Sequence, residues 1–230
     1  MFDYVISSYV PTLSILLPSR EATVSRDDLH VLVVHQYISD GLSQLPGVEV
    51  ELEHIKTIVN GSRSMQTTLM EATAGTVEEV LGLMKDADWV HFACHGIQDD
   101  KNPTQSGLCL ADGRRLQLSD MIALSRRRGG LAFLSACQTA MGDEDLSDEA
   151  IHIAAGMLFA GYSGVVGTMW SISDKLAPRV AKDVYAQLFL GETRPDYRDA
   201  AMALQDAVGR LRNSTDVGFV DWLPFIHLGV

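Results

Sequence analysis

Cysteine is scarce in this chain: Cys94, Cys109 and Cys137 are its only three, and no two stand at CxxC spacing. An odd, scattered set favours free thiols in a reducing compartment over a disulfide framework. Basic residues are also few, with 18 Lys and Arg against 30 Asp and Glu and a net charge of −12. Phosphate recognition needs clustered Lys and Arg, so neither nucleic acid nor an anionic membrane is an expected partner. The one basic cluster, Arg126-Arg127-Arg128, reads as the complement of a helix C-terminal dipole. No apolar run is long enough for a membrane span, and the N-terminus lacks the basic start, apolar stretch and cleavage site of a secretory signal. There is no P-loop and no dinucleotide fingerprint, so no cofactor is expected. No repeat, low-complexity tract or linker divides the 230 residues. The expectation is one soluble cytoplasmic domain over residues 1–230, large enough to bury a core without metal or disulfide staples.

What is present is an alternation of apolar strands and amphipathic helices. Leu29 to Val34 (LHVLVV), Asp88 to His95 (DWVHFACH), Leu131 to Cys137 (LAFLSAC) and Gly164 to Trp170 (GVVGTMW) read as buried strands. Val48, Leu52, Ile55 and Val59 share one helical face, although the first residues of that segment also alternate like a strand. Thr76 with Glu79 forms a capping box before Val77, Val80, Leu81 and Met84. Leu108 to Leu118 reads as a hairpin turning at Asp112-Gly113, followed by a short helix from Ser119 to Arg127. Ser147 is positioned to cap a helix striped by Ile151, Ala154, Ala155, Leu158 and Phe159 and stopped by Gly161. Further helices are expected from near Asp174 and along Ala200, Leu204, Ala207, Val208 and Leu211, and Trp222 to Leu228 offers an edge strand. Strands that are apolar throughout and alternate with helices imply a mostly parallel sheet covered on both faces. In such sheets functional groups gather beyond the carboxyl ends of the strands.

His95 and Cys137 stand at two such strand ends. On neighbouring strands about 4.8 Å apart, the two side chains can meet. A thiol with an ordinary pKa of about 8.5 is shifted toward thiolate by a nearby imidazole, which can then return the proton to a leaving amine. The backbone N–H groups of Gly96 and Cys137 can form an oxyanion hole, and the absent side chain of Gly96 lets a substrate carbonyl approach. The same residues also read as a buried core thiol and a satisfied histidine. Ser135 is a poor nucleophile candidate, because its strand lacks a G-x-S-x-G elbow.

HFACHG (His91 to Gly96), LSACQTA (Leu134 to Ala140), DEAIHIAAGMLFAGYSGVVGTMWSISD (Asp148 to Asp174) and DWLPFIHLG (Asp221 to Gly229) together resemble the CHAT domain, in wording especially its fungal members. SSYVPTLSILL (Ser7 to Leu17) is similar to that family's opening segment. CHAT domains are caspase-like modules related to separase, and they often follow tetratricopeptide repeats. The resemblance implies a caspase–hemoglobinase-like three-layer α/β/α sandwich and a cysteine endopeptidase with His95 and Cys137 as its dyad. It implies a protein or peptide substrate, a place in signalling or cell death, and a longer parent chain with helical-repeat domains. It places Ser135, Trp170, Ser171 and Asp174 as candidates for the pocket that takes the residue before the scissile bond (P1). Separase-like relatives carry an acid directly after the tryptophan and prefer arginine; Ser171 departs from that pattern. Asp174 also reads as a helix N-cap. The acidic run Met141 to Glu149 suggests a self-cleaved regulatory loop or, less simply, a calcium site. Strand alternation separates Cys94 from His91 and His95, against a zinc site there, so no metal is expected. The alternative to an enzyme is a caspase-like fold that works by docking.

Overall fold

Five parallel strands, four of them largely apolar and buried, form the centre of the computed structural model. The structure describes residues 5–16, 28–37, 42–62, 67–72, 75–97, 99, 101–124, 129–135, 137–138 and 150–230. At 14, 16, 103, 137, 138 and 150–152 the description is of backbone alone. In chain order the regular elements are β1 (Leu29–His35), α1 (Gly47–Gly61), β2 (Thr67–Glu71), α2 (Val77–Met84), β3 (Trp89–Ala93), β4 (His95–Ile97), β5 (Gly107–Cys109), β6 (Arg115–Gln117), α3 (Leu118–Ala123), β7 (Gly129–Leu134), β8 (Cys137–Gln138), α4 (Ala150–Phe159), β9 (Tyr162–Thr168), α5 (Ala177–Leu188), α6 (Ala200–Arg212), α7 (Phe219–Trp222) and β10 (Phe225–Gly229).

The main sheet has the order β10-β9-β7-β3-β1-β2. All pairs are parallel except β10 on β9. Side chains alternate between two cores, as the pleat requires. Val90 and Phe92 of β3 join Leu32, Leu134 and Val165 in a cluster packed by α2, α3 and α4. Trp89 joins Val31, Leu131, Phe133 and Val166 in a second cluster covered by α1, α5 and α6. The product is a three-layer α/β/α sandwich. Burying each large side chain contributes about 1.5–3 kcal/mol relative to exposure, which is why continuous apolar strands settle in the middle layer.

A smaller sheet, ordered β6-β5-β4-β8, stands beside the first. Here the structure departs from the sequence reading. The segment expected as one strand from Asp88 to His95 breaks at Cys94, and His95 opens β4 rather than closing β3. Likewise β7 ends at Leu134, and Cys137 opens β8. The continuous apolar pattern conceals the break because the strands change neighbours, not character: β3 lies between β1 and β7, whereas β4 lies between β5 and β8.

Other differences have local causes. β2 was not expected; it is an edge strand whose residues remain half-exposed, so it carries no apolar run. The Thr76 oxygen accepts from Glu79 N as expected, but the Glu79 carboxylate accepts from Gly75 N, one residue before the cap. Phe159, assigned to an apolar stripe, is 57% exposed at the end of α4. The helix expected from near Asp174 begins at Ala177. Ser147, Arg126-Arg127-Arg128 and the acidic run 141–149 lie outside the described residues. The hairpin, α6 and the Gly161 stop (φ 102°) agree with expectation. The edge strand Phe225–Gly229 is met in turn by an extended N-terminal segment: Tyr9 N donates to His227 O at 2.9 Å and Gly229 N to Tyr9 O at 2.9 Å.

Candidate active site

β4 and β8 pair in parallel, with His95 opposite Cys137 and Gly96 opposite Gln138. On its other side β4 pairs antiparallel with β5, Gly96 facing Leu108. The two residues that the sequence singled out are therefore register partners, on backbones spaced about 4.8 Å apart. The side chain of Cys137 lies outside the described part.

His95 is fully buried. Its Nε2 lies 2.7 Å from the backbone carbonyl oxygen of Ser43. A carbonyl only accepts, so Nε2 carries the hydrogen and donates; in the neutral ring Nδ1 is then the bare acceptor. Nδ1 is buried and has no hydrogen-bond partner among the described residues. The loop that presents Ser43 is itself anchored. Leu45 N donates to Tyr37 O at 3.0 Å, and Tyr37 Oη donates to Gln44 Oε1 at 3.1 Å. The Leu45 side chain packs with Val48 and Ala93.

The first turn of α1 follows this loop and meets two of the P1-pocket candidates. Asp174 Oδ2 accepts from Gly47 N at 2.6 Å. The carboxylate thus satisfies an orphan N–H at the positive end of α1; it caps a helix distant in sequence, not the one that follows it. The approach is close enough that a Cβ on Gly47 would lie 2.2 Å from the Asp174 carbonyl oxygen. One turn on, Glu51 Oε2 accepts from Ser135 Oγ at 2.9 Å. Glu51 Oε1 lies 3.1 Å from His91 Nε2, without the alignment of a hydrogen bond. Glu51, His91 and Ser135 are all buried. His91 stacks on Phe133 at 4.8 Å and meets the edge of Tyr185 at 5.6 Å. Burial, with a contribution from the Glu51 charge, pushes the Tyr185 phenol far above its ordinary range.

Of the remaining candidates, Trp170 leaves the end of β9 half-buried, with Nε1 donating to Val220 O at 3.2 Å, and Ser171 is exposed beside it. Ser135 and Asp174 converge on α1; Trp170 and Ser171 lie toward α7. Cys94 is buried in the α2/α4 core, across the sheet from the cluster that holds Trp89. Burial pushes the Cys109 thiol up. Among the described residues no group of three His, Cys, Asp or Glu gathers to hold a metal. Among the same residues no helix is long and apolar enough to cross a membrane.

Two features were not read from the sequence. Ser43 acts through its backbone carbonyl, which leaves no side-chain signature. Glu51 did leave one: it is a carboxylate on the same face as Val48 and Ile55, where every other inward position of α1 is apolar.

This three-layer sandwich has a caspase-like α/β fold, and the register pair His95–Cys137 belongs to the smaller sheet beside it. Its fold matches yeast separase, from Saccharomyces cerevisiae in complex with securin, at a TM-score of 0.53 and 14% identity over 89% of this chain. It also matches gingipain R (RgpB), an Arg-specific cysteine proteinase, at 0.53 and 8% identity over 87%. The complex of the Porphyromonas gingivalis RgpB pro- and mature domains gives 0.52 and 9% over 87%. The match spans 12% of the separase chain and 46% of the gingipain R chain. No curated protein sequence matches. The family model for the CHAT domain matches residues 3–230, and the chain belongs to that family.

Proposed function

We propose that this domain is a cysteine endopeptidase whose catalytic dyad is His95 and Cys137. The observation that carries the reading is the His95–Cys137 register, combined with a histidine whose Nε2 is held by Ser43 O and whose Nδ1 is left bare. The register places positions 95 and 137 directly opposite each other on neighbouring parallel backbones, about 4.8 Å apart. Nδ1 takes the thiol proton, and the thiolate sulfur attacks the scissile carbonyl carbon. The oxyanion that forms is met by the N–H groups of Gly96 and Cys137. As the C–N bond breaks, Nδ1–H passes its proton to the departing amine. Water then cleaves the thioester, restoring the thiol and releasing the new carboxyl end. The Ser43 carbonyl holds the ring in the required tautomer, the role a third group plays in nucleophile–base pairs generally. No metal or cofactor is required by this scheme.

Ser135, Trp170, Ser171 and Asp174 are proposed to surround the P1 side chain, with α1's first turn as part of the wall. The domain is proposed to act in the cytoplasm on a protein substrate, under control, as one part, residues 1–230, of a longer chain with helical-repeat domains. Separase in its complex with securin is a precedent for a protein partner on this fold. A signalling or cell-death role accords with that arrangement.

The test is a fluorogenic peptide library varied at P1, applied to the wild type and to Cys137→Ala. Cleavage by the wild type alone supports the reading and reports the pocket's preference. Cleavage retained by Cys137→Ala removes it. Silence from both folded proteins, with Cys137 no more reactive toward iodoacetamide than Cys94 and Cys109, points to a docking module.

A further inference from the structure

We infer that Glu51 is a positioning residue of this site: one buried carboxylate that ties β3, which leads to His95, and Ser135, which leads to Cys137, to the helix whose preceding loop orients His95. The inference rests on the peptidase reading above and adds a residue to it.

Taking a carboxylate out of water is unfavourable unless partners offset it, and apolar residues of similar size avoid that cost. α1 uses apolar residues at Val48, Leu52, Ile55 and Val59, and places a carboxylate at 1% exposure only at Glu51. A buried carboxylate can serve packing alone. What distinguishes this one is where its partners lie. Oε1 contacts His91 on β3, the strand that leads to His95; Oε2 accepts from Ser135, two residues before Cys137. From Glu51 the helix runs back one turn to Gly47, fixed by Asp174, and the chain continues through Leu45 to the Ser43 carbonyl. One turn of helix is about 5.4 Å long and rigid. Moving α1 therefore shifts Ser43 O against His95 and Ser135 against the start of β8 together. Phe133 stacks on His91 at 4.8 Å and Tyr185 meets it edge-on at 5.6 Å, so the ring is packed on both of these sides.

The experiment uses the 230-residue protein and the variants Glu51→Gln and Ser135→Ala. Glutamine keeps an oxygen for Ser135 but cannot carry charge against His91. Three quantities are read: kcat and KM for the best library peptide, and the rate at which iodoacetamide alkylates Cys137, followed by peptide mass spectrometry against Cys94 and Cys109. A misplacement of about 1 Å can cost on the order of 10²-fold in rate, so Glu51→Gln is expected to lower kcat at least about tenfold with KM within about twofold. Cys137 alkylation slows in parallel, because the small reagent reports the dyad and ignores the P1 pocket. A folded Glu51→Gln with wild-type alkylation and kcat overturns the inference while leaving the peptidase intact. A change in KM alone also overturns it and makes Glu51 a pocket residue. If the wild type cleaves nothing but alkylates selectively at Cys137, and Glu51→Gln slows that reaction, the inference stands and the peptidase reading fails. If Glu51→Gln does not fold, Ser135→Ala decides: slowed alkylation supports the brace, and an unchanged rate removes it.

Discussion

Asp174 and Gly47 are joined by a 2.6 Å hydrogen bond that links the loop after β9 to the first residue of α1. Through it, the strand crossover that follows the nucleophile side of the sheet holds the helix that follows the histidine's orienting loop. The contact is tight enough that glycine is required for space: any Cβ at position 47 would enter the Asp174 main chain.

Replacing Asp174 with asparagine keeps an acceptor at the end of α1 but removes its charge; alanine removes both. Loss of a side-chain cap costs about 1 kcal/mol, so Asp174→Ala should unfold earlier in urea, with Asp174→Asn between it and the wild type. Gly47→Ala should be worse than either, since overpacking against backbone costs about 1–3 kcal/mol. Equal midpoints for Asp174→Ala and the wild type would show that α1 needs no cap.

Tyr185 is fully buried, and its hydroxyl has no hydrogen-bond partner among the described residues. An unsatisfied buried hydroxyl is a cost, on the order of 1–3 kcal/mol. Tyr185→Phe should therefore leave stability unchanged or raise it by about 1 kcal/mol, as read by urea denaturation. A clear loss would mean that the hydroxyl has a partner, with the Glu51 carboxylate the nearest charge that influences it.

His227 sits under the N-terminal segment, where Ser8 Oγ donates to Gly229 O and accepts from His227 Nδ1 at 2.8 Å. Nε2 faces Gly164 and is buried without a partner among the described residues. Burial pushes this imidazole down to about 4 from the usual 6.5. With the folded value depressed, the unfolded chain binds the proton first, so stability is full above pH 6.5 and falls as the pH drops toward 4. The loss approaches about 3 kcal/mol once the unfolded chain is protonated, at 1.36 kcal/mol for each unit between the two values. Melting temperatures between pH 7.5 and 4.5 should fall more steeply for the wild type than for His227→Gln. Parallel curves would assign the acid sensitivity to other groups.

The strands β1, β3, β7 and β9 were legible because burial on both faces demands unbroken apolar runs, and α6 because its apolar residues repeat at helical spacing. The family resemblance was legible in ordered blocks around His95, Cys137 and Trp170. β2 was not, since a half-exposed edge strand carries no such run. Nor was the break at Cys94, where the apolar pattern continues across a change of strand partners.

The sequence by itself determined the class of fold, the family and the two residue types at the carboxyl edge, because periodicity and local wording are properties of neighbouring residues. Only the tertiary structure decided that His95 and Cys137 face each other in register on a second sheet, that Ser43 orients the imidazole, and that Asp174 and Ser135 turn toward α1. Each of these joins atoms far apart along the chain, through hydrogen bonds or strand pairing. Such partners are selected by which surfaces the folded core brings into contact, and no local pattern encodes that choice.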